Sequence, residues 1–203
     1  MTMQQRTRKP RAGTSQRRRQ IIEAALACFS QNGVIETTME EIQRKAGVSN
    51  GSLYHHFRSK DQLAAAVYLE GILDYQTGLL GRVIGQAEPR DGVLALVGFH
   101  LGWVYEYPEW SAYLIQSRSD DFSSEIHRSI AEANRIFFAE LETYFRPFVQ
   151  AGILKNMPSY IRLSLLLGPC QQCAHLMTAR NCDINLAEAV AQIGESIWLA
   201  LKV

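Results

Sequence analysis

Residues 37–63, TTMEEIQRKAGVSNGSLYHHFRSKDQL, carry three helix starts in succession, each with its own capping residues. Thr38 followed by Glu41 has the spacing of a capping box, and Met39, Ile42 and Ala46 then recur at helical intervals. Gly47 follows the last of them, where a helix ends in a left-handed residue. Val48 is an apolar plug and Ser49 a cap for a second short helix, in which Leu53 and Phe57 lie one turn apart and face inward. Ser59 with Gln62 repeats the box and starts a third helix. A segment punctuated so often cannot become one long helix or a strand. Two short helices across a glycine-containing turn make a helix-turn-helix, and with no strand alternation of useful length elsewhere the chain is read as all-α.

The second helix of such a motif is the one that enters a major groove, so the pattern implies a duplex-DNA partner. Asn50, Gly51 and Ser52 form its first turn, and Ser49 at its start is counted with them. Asn pairs with adenine N6 and N7, a hydroxyl reads either partner of a base pair, and Gly51 lets the backbone approach or admits a thymine methyl. Arg44 is placed to reach a guanine or a phosphate, and Thr38 sits where the free amides of a helix start favour a phosphate oxygen.

The run Thr37-Thr38, Ile42, Ala46-Gly47-Val48, Leu53-Tyr54-His55-His56-Phe57 and Lys60 resembles the DNA-binding signature of the TetR family of transcriptional regulators. An apolar stripe of Ile21, Ile22, Ala25, Leu26 and Phe29, closed by Asn32-Gly33, supplies the preceding helix, so the likeness covers about residues 15 to 65. The resemblance implies that Tyr54, His55 and Lys60 touch the DNA backbone. It also implies a C-terminal body that holds a small-molecule pocket and pairs two helices with those of a second copy. His56, beside Phe57, is expected to pack inside the head.

Charge agrees with that division. Residues 1–60 hold 11 Lys or Arg against 4 Asp or Glu, whereas residues 61–203 hold 10 against 16. The basic surplus of 7 travels with the motif, as phosphate neutralisation requires, and the acidic remainder of 6 should face away from DNA. Three segments are expected: a disordered basic arm over 1–14, a helix-turn-helix domain over 15–62 with its motif at about 38–57, and an effector-binding and dimerisation domain over 63–203. The first helix is expected from about Ser15 to Gln31 and the fourth from after Ser59 to about Gly85, where Gly78, Gly81 and Gly85 either admit a close neighbour or weaken the helix end. Beyond a break at Glu88–Gly92, helices are expected over 91–107 and 108–118, with a turn at Ser119-Asp120-Asp121. Further helices are read from Ser123 to Gln150 (kinked or ended by Pro147), from Pro158 to Arg180 (interrupted at Gly168-Pro169), and from Asn185 onward, making about nine in all.

Aromatic residues concentrate between Phe99 and Tyr113. Phe99, Trp103 and Tyr107 recur every fourth residue, and with His100 and Trp110 they are the candidate effector pocket, for a small apolar or aromatic ligand. Hydrophobic core is the competing assignment for each of them. The helices over 158–180 and 185–202 carry more apolar residues than one chain need bury, and Leu163, Leu166, Leu167, Ile193, Ile197, Trp198 and Leu201 are the expected dimer face. Cys170 and Cys173 lie one helical turn apart. They suit buried inert thiols better than a zinc site, which would need two further ligands, or a thiol sensor beside the interrupted helix. No nucleophile elbow, phosphate-binding loop or metal-binding His pair is present, so no catalytic residue, metal or cofactor is expected. No apolar run reaches the ~20 residues of a membrane span, and a cytoplasmic location is expected. The leading reading is a homodimeric repressor of a palindromic operator, released by a small molecule. The alternatives are a dimeric DNA-binding regulator without a ligand and an enzyme on a borrowed helical fold.

Overall fold

A computed structural model describes residues 12–117, 124–180 and 185–203. Most of the expected arm and the turn at Ser119-Asp120-Asp121 lie outside the described residues. Among those described there are nine helices, α1 Ala12–Glu36, α2 Met39–Ala46, α3 Asn50–His56, α4 Lys60–Val83, α5 Pro89–Glu106, α6 Pro108–Gln116, α7 Ser124–Gln150, α8 Ser159–Arg180 and α9 Leu186–Leu201. The only β contact among them is an isolated bridge between Leu154 and Lys202. No described helix is long and apolar enough to cross a membrane. The chain divides into two compact units, the first ending at Val67 and the second running Tyr68–Val203.

In the first unit the helix starts behave as their residues dictate. Thr38 caps α2 with the full reciprocal box: its Oγ1 accepts from the Glu41 amide at 3.2 Å, and its own amide donates to Glu41 Oε2 at 2.8 Å. Gly47 is left-handed at φ 63°, ψ 29°, a conformation that costs a residue with a Cβ. Gln43 closes the turn by donating from Nε2 to the Val48 carbonyl at 2.8 Å. At α4 the box is looser than expected, because Gln62 Oε1 accepts from Arg58 N rather than from Ser59 N. Helix α1 begins before the expected Ser15 and is broken at Gly33, whose φ of 77° and ψ of 163° are not helical. Ile21, Ile22, Phe29, Ile42, Leu53, Phe57 and Leu63 are all buried and make the core of the unit.

The second unit is built around α5, which packs against α8 and α9. Leu96, Val97 and Leu101 of α5, Leu141 and Phe145 of α7, Leu166 of α8 and Ile197 and Leu201 of α9 share one core. Pro108 ends α5 and starts α6, standing at the first position of α6, where a missing N–H costs nothing. Two further prolines stand inside helices, and at Pro169 this corrects the expected interruption. Pro147 lies within the last turn of α7, which continues to Gln150, and Pro169 lies inside an unbroken α8. Each removes a single ladder bond, and the packed neighbours Phe145, Leu166 and Cys170 hold the helices in register. Of the three glycines expected to admit a close neighbour, Gly78 receives the ring of Phe99. Gly81 and Gly85 face open space.

Candidate nucleic-acid interface and effector pocket

Helix α3 is locked by its inner face and left free on its outer one. Leu53 and Phe57 are sunk in the core, and the guanidinium of Arg18 on α1 stands 5.5 Å from the Phe57 ring centroid, a cation–π contact the sequence reading missed. Asn50, Gly51, Tyr54 and His55 are exposed, as is Arg44 at the end of α2. A Cβ placed on Gly51 would meet nothing within 4 Å, so no packing inside the protein demands a glycine there. His56 is half-buried against Phe57, and that burial holds its pKa below the ordinary imidazole value.

Three of the expected contact residues have work inside the head. Ser49 Oγ accepts from the Ser52 amide at 3.2 Å and caps α3. The Thr38 hydroxyl is engaged with Glu41, so the groups left for a phosphate at the start of α2 are the first-turn amides of Met39 and Glu40, which have no intrahelical acceptor. Lys60 Nζ donates to the Ile35 carbonyl at 2.7 Å and the Thr37 carbonyl at 2.9 Å. It is a strut across the corner between α1 and α2, with one of its three N–H donors left over. Thr37, also unremarked as a structural residue in the sequence, is fully buried and donates to the Gly33 carbonyl at 2.8 Å, sealing the end of α1. Lys60→Met is therefore expected to destabilise the head by about 1–2 kcal/mol, since bonds from a charged donor are lost. It should also weaken binding to every DNA sequence alike and lower the salt slope by about one. A melting curve unchanged from the parent protein would remove the strut.

In the second unit the expected pocket residues divide between two clefts that share Trp103. The outer one, about 740 Å³, lies between α4 and α5, with Phe99, Trp103 and Tyr107 beside Asp74, Arg82 and Glu106. Trp103 Nε1 donates to Asp74 Oδ2 at 3.4 Å. The inner one, about 210 Å³, lies among α4, α5, α6 and α8 and includes His100 and Trp103. His100 is buried, its Nδ1 lies 2.5 Å from the Tyr75 hydroxyl, and desolvation lowers its pKa to about 4, so it is neutral at physiological pH. Trp110 belongs to neither cleft. Its ring fills the space beside Gly71, where a Cβ would collide with it, so its assignment to the pocket is corrected to packing.

The expected dimer face also needs correction. Leu166, Leu167, Ile197 and Leu201 are buried in the protomer's own core, and Leu163, Ile193 and Trp198 are half-buried against it. The large apolar residues that α8 and α9 leave exposed are Tyr160, Ile161, Leu176 and Leu199. Cys170 is buried and bonded to the Leu166 carbonyl, and burial pushes its thiol up to about 12. Cys173 is raised by the same cause, which suits inert thiols rather than a sensor. Among the described residues, no group of three or more His, Cys, Asp or Glu could hold a metal ion.

Comparison with known proteins agrees with this geometry. Residues 21–67 match the family model of bacterial regulatory proteins of the tetR family. The HTH-type transcriptional repressor KstR2 of Rhodococcus jostii is 30% identical over 147 residues, 70% of this chain and 68% of the relative. A tetR-family regulatory protein from Rhodococcus RHA1 superposes with a TM-score of 0.79 at 18% identity, over 92% of this chain and 97% of that one. The regulator FadR of Bacillus subtilis, solved in complex with stearoyl-CoA, superposes with a TM-score of 0.75 at 15% identity, over 88% of this chain and 96% of the other. The chain belongs to the TetR family, and its class is that of DNA-binding transcriptional regulators.

Proposed function

We propose that the protein is a homodimeric cytoplasmic repressor that binds a palindromic operator and leaves it when a small molecule occupies the second unit. The observation that carries this reading is the first turn of α3, where Asn50 and Gly51 are exposed and backed by the buried Leu53 and Phe57. A rigid helix start with a free outer face suits base contact in a major groove. One head reads few base pairs, and a two-fold pair of heads doubles that information. The domain roles follow the same division, with contacts to DNA in residues 15–62 and ligand and partner contacts in 63–203.

Helix α4 supplies Lys60 and Leu63 to the first unit and Tyr68, Ile72 and Tyr75 to the inner cleft of the second. A ligand that tilts α4 would change the spacing of two heads set to a groove repeat of roughly 34–36 Å. Tenfold release needs about 1.4 kcal/mol of difference in ligand affinity between the two spacings.

The test is selection of binding sites from random duplexes. Asn50→Ala should relax discrimination at one position per half-site, costing about 1–3 kcal/mol there. Gly51→Ala should keep the head folded, and even favour α3 by about 1 kcal/mol through helix propensity, while lowering affinity for the selected operator. Unchanged base preference in both variants would sink the role given to this turn.

A further inference from the structure

Ser111 is 2% exposed, and among the described residues its Oγ is the one buried side-chain oxygen or nitrogen without a hydrogen-bond partner. An orphan hydroxyl in a packed helix has lost its water without gaining a partner, and natural structures retain few of them. This one lines the inner cleft. So does His100, whose Nδ1 is taken by Tyr75; in either tautomer Nε2 is left over as one donor or one acceptor. Apart from the amide of Gln171, the remaining wall is apolar or aromatic, with Tyr68, Ile72, Trp103, Val104, Leu114 and Ala174, and no residue lining the cleft carries a charge at neutral pH. An ion there would be stripped of water without a counter-charge. The volume of about 210 Å³ falls below the roughly 300–1,000 Å³ of sites for drug-sized ligands.

The structure assigns the inner cleft to a compact, uncharged, mostly apolar ligand bearing one hydroxyl or carbonyl group, which Ser111 Oγ and His100 Nε2 recognise. This deepens the effector reading above and rests on it only for the consequence at DNA. The outer cleft, with Asp74, Glu106 and Arg82, is not the recognition site for that group. A long acyl chain such as that of stearoyl-CoA exceeds the inner cleft.

The probe is 4-ethylphenol, compared with ethylbenzene, benzoate, benzylammonium and stearoyl-CoA. Binding is followed by calorimetry and by quenching of Trp103 fluorescence in the full-length protein. The parent protein should bind 4-ethylphenol about tenfold more tightly than ethylbenzene, and neither ion detectably. In Ser111→Ala most of that tenfold preference should vanish, with ethylbenzene affinity unchanged. Coupling of this kind between one ligand atom and one side chain is a signature that a merely structural role would not produce. Removing an orphan hydroxyl should leave the melting temperature of the ligand-free protein equal or higher. A second variant, Ala174→Leu, should fill the cleft and abolish binding of both neutral probes while the helical signal persists. Equal preference in the parent and in Ser111→Ala, tight binding of either ion, or binding of stearoyl-CoA alone would each overturn the assignment. Operator release is measured separately. Binding of 4-ethylphenol without release keeps the cleft and refutes the effector reading, whereas a protein that binds its operator but shows no heat or quenching with any neutral probe refutes the cleft alone.

Discussion

Leu199→Glu is expected to break the proposed homodimer into a folded monomer whose operator affinity is about 10²–10⁴-fold weaker, because the second head would lose the effective concentration that a partner supplies. Leu199 is 51% exposed on α9, so a carboxylate there stays in water in the monomer and is buried only if a second copy covers that face. Leu201, two residues on and 1% exposed, sits in the core with Leu96 and Leu166. Leu201→Glu would bury an unpaired charge and should unfold the body at a cost of several kcal/mol. The pair of variants thus separates loss of assembly from loss of fold, which substitutions at Ile197 or Leu201 alone cannot do. Sedimentation and circular dichroism read the two outcomes. A Leu199→Glu protein that still sediments as a dimer at micromolar concentration would move the interface away from α9.

Arg162→Ala should lower the stability of the second unit by about 3 kcal/mol, the lower end of the cost of leaving one member of a buried ion pair alone, because the Glu142 left behind keeps 22% of its side chain exposed. Arg162 is 4% exposed and is the hub that fastens the start of α8. Its guanidinium meets Glu142 on α7 through Nη2 at 3.1 Å and Nε at 3.4 Å, and also donates to the Lys155 and Met157 carbonyls at 3.4 Å. The fork therefore ties together α7, the 155–157 segment and α8 with one side chain. Thermal unfolding should shift down by about 10 °C, taking 2–4 °C per kcal/mol for a chain of this size. Arg162→Lys should recover only part of the loss, since an ammonium cannot reproduce the planar fork. A shift below about 2 °C for Arg162→Ala would show that the pair is not a structural anchor.

The reading head was legible in sequence because its determinants are local. Caps at Thr38, Ser49 and Asn185 and the turn at Gly47 join residues no more than five apart, and each forms as its spacing requires. The inward pair Leu53 and Phe57 follows from helical period alone. Lys60 shows where that reasoning stops. The family resemblance implied a DNA contact for it, but its ammonium also binds carbonyls 23 and 25 residues earlier, which no spacing rule connects.

Tertiary structure decided the body. The aromatic run from Phe99 to Tyr113 announced a cluster, but only the packing of α4, α5, α6 and α8 divided it, placing Trp110 against Gly71 and opening two clefts on either side of Trp103. Ser111 carried no signal in the sequence, since an unpartnered hydroxyl is defined by what surrounds it. The same limit misplaced the dimer face: helical period shows that a face is apolar, not whether its cover comes from the same chain. Leu166 and Leu201 found theirs in Leu96 and Val97 of α5, far along the sequence, and left Leu199 and Leu176 outside. Sequence by itself determined where helices begin, how the head turns and which half carries the positive charge, because those depend on neighbours a few residues apart. Which apolar surface is core, which is pocket and which remains exposed depended on contacts between distant helices, and only the folded chain holds them.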